Sequence, residues 1–173
     1  MRNFNHKIFR ESGLLNNGGK ALHRGIEVSG AIYPVEGLKL YGSGAIQRAT
    51  IEYGMNKGNR VPYAPRYTAT AGAKYQCGVG EGTLTTNVYG NFVSSQFSDL
   101  ANTFEGSANG NVGLIPKFFL LNATASYSYK QWNFNLNALN LLNRKYFTTR
   151  HNAWGGIMPA ATISVLGGVG YQF

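Results

Sequence analysis

The chain has 173 residues, of which 43% are hydrophobic and only 13% charged, and 16 basic against 7 acidic side chains leave a net charge of +9. That length suits one domain, and a charged fraction near half the usual quarter argues against an ordinary solvated surface, while 11 Tyr, 10 Phe and 2 Trp among 23 Gly exclude disorder and suit many strands and turns. A lone cysteine, Cys77, and three scattered histidines, His6, His23 and His151, exclude a disulfide scaffold and a zinc module.

The opening residues, Met1 to Lys7, are positively charged but lead into no apolar run of the kind a secretory signal needs. No stretch reaches the roughly 18 uncharged apolar residues of a spanning helix, so a membrane chain must be a strand chain. An envelope protein without an export signal is expected to continue upstream of Met1. Phe4 to Arg10 predicts the tail of one strand. Next, Ile26, Val28 and Ile32 alternate with His23, Glu27 and Ser29, and Leu38, Leu40 and Ile46 with Lys39, Tyr41, Ser43 and Gln47. A further strand is predicted over about Arg66 to Gln76. From Leu84, the residues Leu84, Thr86, Val88, Gly90 and Phe92 share one face, and Thr83, Thr85, Asn87, Tyr89 and Asn91 the other. Lys117 to Lys130 follows, then the clean alternation of Trp132, Phe134, Leu136 and Ala138 with Asn133, Asn135 and Asn137. The last segment sets Ile163, Val165, Val169, Tyr171 and Phe173 against Ser164, Gly168, Gly170 and Gln172. The sum is about eight strands, each long enough to cross a bilayer at a tilt.

The predicted connections alternate in length. Tyr33 to Gly37, Gln76 to Gly82 and the reversal at Tyr129-Lys130-Gln131 are short; Glu11 to Lys20, Thr50 to Ala64, Ser94 to Ile115 and Tyr146 to Ala160 are long. Outer-membrane barrels place short turns at the periplasmic end and long loops outside. Pro65, Pro116 and Pro159 are expected where a long loop enters a strand, a position that tolerates a missing amide donor. Hydrocarbon offers no hydrogen-bond partner, so a closed wall around water accounts for one apolar and one polar face. The fold expected is all-β, an antiparallel transmembrane β-barrel segment. A soluble antiparallel barrel or sandwich shares the alternation but not the low charge and aromatic strand ends.

The run Asn140-Leu141-Leu142-Asn143-Arg144-Lys145-Tyr146-Phe147, the loop Gly155-Gly156-Ile157-Met158-Pro159 and the ending Gly170-Tyr171-Gln172-Phe173 resemble the C-terminal end of TonB-dependent outer-membrane receptors. Upstream, His23-Arg24-Gly25-Ile26-Glu27, Pro34 to Leu38, and Arg60-Val61-Pro62-Tyr63-Ala64-Pro65-Arg66-Tyr67 resemble the preceding strands of that family in the right order. The resemblance implies a barrel of about 22 strands around an N-terminal plug. It also implies import of ferric siderophores, haem or cobalamin with energy from the TonB complex, at the outer membrane of a Gram-negative bacterium. Residues 1–173 then correspond to the C-terminal barrel portion, with the plug, which contacts TonB, and the first strands absent. Tyr171 and Phe173 resemble the signal read by the barrel-assembly machinery, and both rings are expected at the inner interface of the lipid face. Leu166 departs from the polar residue usual near the start of that signal.

With these strand directions the basic residues gather at the outer end. Such a collar attracts an anionic ferric chelate, because guanidinium forks match carboxylates. The candidate ligand-binding residues are Arg60, Arg66, Arg150 and His151, with Tyr63 and Trp154 as aromatic walls, and ferric dicitrate is the preferred ligand within the family. Outward basic residues alternatively pair with lipopolysaccharide phosphates. Nucleic acid is disfavoured, since the basic residues are dispersed and no reading module is legible. Gly78-Val79-Gly80-Glu81-Gly82 lacks the Lys-Ser/Thr of a phosphate loop and suits a tight turn. Asp99 is the only aspartate, and no acid, Ser or His pattern supports an enzyme, a metal site or a resident cofactor. Asn133, Asn135 and Asn137 are expected as a lumen-facing, water-binding amide ladder. The competing expectation for the whole chain is a complete small eight-stranded outer-membrane barrel with an anchoring or adhesion role.

Overall fold

A computed structural model describes residues 20–151 and 156–173, save the side chain of His151, together with the backbone of three short strands upstream of residue 20. The strands are β1 (Arg2–Phe4), β2 (Phe9–Glu11), β3 (Leu14–Asn16), β4 (Ala21–Val35), β5 (Leu38–Ile51), β6 (Tyr67–Val79) and β7 (Gly82–Val93). They continue with β8 (Gln96–Phe97), β9 (Leu114–Ile115), β10 (Phe118–Tyr129), β11 (Trp132–Leu139), β12 (Phe147–His151), β13 (Gly156–Pro159) and β14 (Ser164–Tyr171). There is no helix among the described residues.

Eight of these strands make one antiparallel up-and-down sheet in the order β1-β4-β5-β6-β7-β10-β11-β14. The other six form three two-stranded hairpins, β2–β3, β8–β9 and β12–β13, inside the long connections. At the opposite end, turns at Glu36-Gly37, Gly80-Glu81 and Lys130-Gln131 join β4 to β5, β6 to β7 and β10 to β11. Gly37 is required at its turn: its φ is +77°, and a Cβ there would stand 2.2 Å from the Gln76 carbonyl oxygen.

Of the strand expected over Phe4 to Arg10, residues 5–8 lie outside the described residues; Phe4 belongs to β1, and Phe9 and Arg10 to the hairpin β2–β3. Two expectations are corrected in detail. The last long connection starts at Asn140 rather than Tyr146, because Asn140 turns the chain with φ +52° and β11 ends at Leu139. Pro159 does not enter the final strand; it pairs with Phe147 at the end of β13, and the next amide, Ala160, donates to Tyr146 O at 3.0 Å. Pro65 and Pro116 do precede β6 and β10 as expected.

Register decides which residues share a face, because side chains alternate and a slip of one residue would exchange the two faces. Ile26↔Ile46, Ile46↔Tyr67, Ala69↔Phe92 and Phe92↔Phe119 lie on one face near the long-loop end. The same face carries Ala73↔Val88, Val88↔Ala123, Ala123↔Ala138 and Ala138↔Val165 at mid-height. Tyr75, Tyr127↔Phe134, Tyr129↔Trp132 and Trp132↔Tyr171 follow near the short turns. An apolar belt therefore runs between two aromatic rows. Tyr67 and Tyr75 of β6 are separated by about 27 Å at ~3.4 Å per residue, which along a tilted strand matches the ~25 Å band of a membrane barrel. Large apolar side chains on it are exposed, Ile26 to 73%, Ile46 to 61% and Val169 to 65%, which water would disfavour and acyl chains accept.

The opposite face is polar. Tyr41 of β5 donates to Asn87 Oδ1 of β7 at 3.0 Å, reaching across β6, and Thr70 donates to Asn91 Oδ1 on the neighbouring strand at 2.9 Å. The Asn ladder of β11 is present, with Asn135 Nδ2 donating to Asn133 Oδ1 and Asn133 Nδ2 to Ser128 Oγ. β1 and β14 are the two ends of the sheet, with no pairing between them among the described residues. The wall is thus an open arc rather than a self-closed eight-stranded barrel.

Candidate functional site

The long-loop end of the polar face is closed in by the connections themselves. Residues 52–66 fold back so that Val61 packs on Ala21, Ala49 and Ile51, with Ala64 and Leu100 beside them. Val61 N donates to Ala49 O at 3.0 Å, and Arg60 forms an isolated bridge with Thr50. Ala49 and Ile51 alternate with Arg48, so this small core lies on the lumen side. Ile115, wholly buried, and Phe97 hold the β8–β9 connection together, and the Phe97 ring meets Phe104 edge to face at 5.4 Å.

Asn102 joins the two connections. Its Oδ1 accepts from Arg60 N at 2.7 Å and its Nδ2 donates to Arg60 O at 2.9 Å, imitating a strand partner for that residue. Asn59 Nδ2 donates to Leu100 O at 2.9 Å, and Tyr63 N to Phe97 O at 2.8 Å. Asp99, the only aspartate, accepts from the Thr103 amide and hydroxyl. It is a turn-forming residue here.

The structure brings Arg60, Tyr63, Arg66 and Arg150 to this one end. The Arg60 guanidinium donates to Ala64 O and Ser95 O, both at 3.3 Å, and lies 5.3 Å from the Phe97 ring centre. Burial and the neighbouring Arg66 charge lower its pKa from the usual arginine value. Arg150 donates from Nη1 to Gly110 O at 2.9 Å and from Nη2 to Leu114 O at 3.1 Å, over the Phe147 ring. Its Nε is buried with no hydrogen-bond partner among the described residues. Both guanidinium groups therefore brace loops with part of their donor sets, a role the residue pattern alone did not reveal. Arg66 differs. Its carbonyl extends the β5–β6 ladder by accepting from Gln47 N at 2.9 Å, and alternation with Tyr67 turns its exposed side chain to the lumen side.

Tyr63 donates from its hydroxyl to Arg150 O at 2.7 Å and holds φ at +56°. Burial, the largest cause, pushes its phenol pKa up from 10.0, against the opposing Arg150 charge. Only the backbone of His151 is described, in β12, and Trp154 lies outside the described residues. At the other end of the wall, Tyr171 contacts Trp132 and Phe173 edge to face, at 4.8 and 5.1 Å. These rings line the short-turn edge of the apolar face.

Sequence reasoning treated Asn140 only as part of a motif, yet it is a buried keystone, 3% exposed. Its Oδ1 accepts from Arg144 N at 2.8 Å, its Nδ2 donates to Arg144 O and Ala161 O, and its own amide donates to Asn122 Oδ1. A hollow of about 890 Å³, lined by Tyr33, Glu36, Lys39 and Lys74 among others, lies at the short-turn end, away from the braced loops.

The model of the family described as TonB dependent receptor-like, beta-barrel, matches residues 3–141. The ferric citrate transporter FecA in its unliganded form is 29% identical with a TM-score of 0.79, over 97% of this chain and 27% of that one. BauA, the ferric preacinetobactin receptor of Acinetobacter baumannii, is 24% identical with a TM-score of 0.74, over 99% and 25%. The ferric yersiniabactin uptake receptor FyuA of Yersinia pestis is 20% identical with a TM-score of 0.73, over 90% and 24%. This chain thus spans about a quarter of the length of these structures. They are receptors and transporters rather than enzymes, and TonB-dependent receptors are outer-membrane proteins of Gram-negative bacteria. Eight antiparallel strands, short turns at one end, long connections at the other and the family match over residues 3–141 together place the chain among the TonB-dependent receptor β-barrels.

Proposed function

We propose that this chain is the C-terminal barrel portion of an outer-membrane receptor that takes up a ferric siderophore, with ferric dicitrate as the preferred ligand. The observation that carries the reading is the gathering of Arg60, Arg66 and Arg150 at the long-loop end of the wall, where the Arg66 side chain is exposed on the lumen side and braces no loop among the described residues. Several cations on one rim favour a multiply charged carboxylate chelate, and the remaining Arg60 donors and the Arg66 fork supply bidentate contacts. Arg150 and Tyr63 set the rim, and His151 and Trp154 stay with them as the sequence-derived candidates for ligand contact. The 29% identity to a ferric citrate transporter supports the choice of ligand.

Energy coupling to the TonB complex then belongs to a plug outside residues 1–173, and the chain resides in the outer membrane. Tyr171 and Phe173 act as the terminal signal for the barrel-assembly machinery, and lipid and lipopolysaccharide surround the apolar belt. The test is titration of ferric dicitrate, against ferric catecholate chelates, into the receptor carrying this segment and its Arg66→Ala and Arg60→Ala variants. Arg66→Ala is expected to weaken ferric dicitrate binding about tenfold, the scale of one lost charge-assisted contact. Unchanged affinity in both variants would remove the pair from the site.

A further inference from the structure

Two arginines are used by nothing described so far. Arg24 of β4 and Arg48 of β5 are direct partners in the register, and both are exposed. They alternate in phase with Ile26, Val28 and Ile46, so they stand on the outside of the wall rather than in the lumen. Opposed residues on a sheet face have Cβ atoms about 4.5–5.5 Å apart, and like charges at that separation repel. The two ion pairs among the described residues, Lys20–Glu52 and Lys130–Glu81, include neither arginine. Glu27, the nearest acid to Arg24 along β4, points to the opposite face by the same alternation.

Height on the wall narrows the partner. Ile46 is the register partner of Tyr67, which belongs to the outer aromatic row. Arg48 is therefore one alternation step, about 7 Å at ~3.4 Å per residue, beyond that row. Aromatic rows mark the interfaces of the hydrocarbon layer, so the pair sits at headgroup height. A guanidinium cannot shed its charge, and its planar fork matches phosphate in bidentate geometry. We propose that Arg24 and Arg48 form a two-armed cradle for a phosphate of an outer-leaflet glycolipid, the phosphorylated headgroup of lipopolysaccharide. An anion lying between the two cations offsets their repulsion. This rests on the outer-membrane reading above, because that reading supplies the leaflet.

The test takes the receptor carrying this segment into neutral-detergent micelles and measures retained lipid by native mass spectrometry. The probes are bisphosphorylated lipid A, its fully dephosphorylated form and inorganic phosphate. Wild type is expected to retain the bisphosphorylated lipid at least tenfold better than the dephosphorylated one, and inorganic phosphate is expected not to displace it. The Arg24→Ala/Arg48→Ala double variant is expected to lose that preference, and Arg24→Lys/Arg48→Lys to keep part of it. Arg48→Glu supplies Arg24 with an internal partner, so it is expected to remain folded at higher temperature on a heat-modifiability gel while losing the lipid; it serves if the double variant does not refold. Equal retention by wild type and Arg48→Glu, or displacement by phosphate alone, overturns the cradle. Oxygen accessibility of a spin label at Phe134 in the same samples separates the two readings: an inserted wall without lipid preference defeats the cradle only, and a label in water defeats both.

Discussion

The Tyr63 hydroxyl donates to the Arg150 carbonyl at 2.7 Å across 87 residues of sequence. The connection between β5 and β6 is thereby tied to the β12–β13 hairpin, and the long connections behave as one braced rim. Tyr63→Phe removes that tie without altering the backbone. It is expected to cost about 1 kcal/mol, the net worth of one hydrogen bond. The readout is faster amide exchange at residues 147–151, with β6 unchanged.

The same phenol sets an alkaline limit. Burial raises its pKa in the folded chain above the ordinary 10.0. A raised folded pKa means that the stability it contributes is fully present below pH 10 and is lost as pH rises through the folded value. Protease nicking of the loops is expected to increase in that alkaline window, in step with phenolate absorbance. In Tyr63→Phe the nicking rate should show no such step.

Asn102 replaces a strand neighbour for Arg60 through two side-chain hydrogen bonds and holds φ at +59°. Asn102→Ala loses both bonds and strains the left-handed backbone, for a cost of about 2–3 kcal/mol. Asn102→Gly loses the bonds but not the conformation, so it should be less damaging by about 1 kcal/mol. Denaturant midpoints of the two variants check the order; equal midpoints would mean that strain is unimportant there.

Asn140 uses its amide both ways, accepting from Arg144 N and donating to Arg144 O and Ala161 O. Asn140→Asp is nearly isosteric but faces two carbonyl oxygens with a carboxylate oxygen. It is expected to destabilise as strongly as Asn140→Ala, by about 2–3 kcal/mol for a buried group left unpaired. A near-neutral Asn140→Asp on a heat-modifiability gel would contradict this account of the turn.

Phe134 and Asn135 are neighbours in β11, with Phe134 paired to Tyr127 and Asn135 to Ser126. In a reconstituted sample a spin label at residue 134 is expected to be relaxed by oxygen and one at 135 by a water-soluble nickel chelate. Identical relaxation at both positions would mean that the two faces do not meet different solvents.

Alternation in the chain was enough to place the seven long strands of the sheet and the two faces they share, though not the short hairpins inside the long connections. Asn133, Asn135 and Asn137 interleaved with Trp132, Phe134 and Leu136 leave one arrangement that buries no unsatisfied backbone in lipid, and the short turns at Gly37, Gly80 and Lys130 follow from local chemistry. What each charged or amide side chain does was decided by contacts between residues far apart in sequence. Arg60 and Arg150 read as ligand-binding cations, and each spends part of its fork on carbonyls of other loops. Asn102 and Asn140 each combine a partner three or four residues away with distant ones, Arg60 for Asn102 and Asn122 and Ala161 for Asn140, and the distant ones become neighbours only in the folded chain. The pairing of Arg24 with Arg48 likewise depends on register, a property of two strands together, because a slip of one residue would send one of them into the lumen.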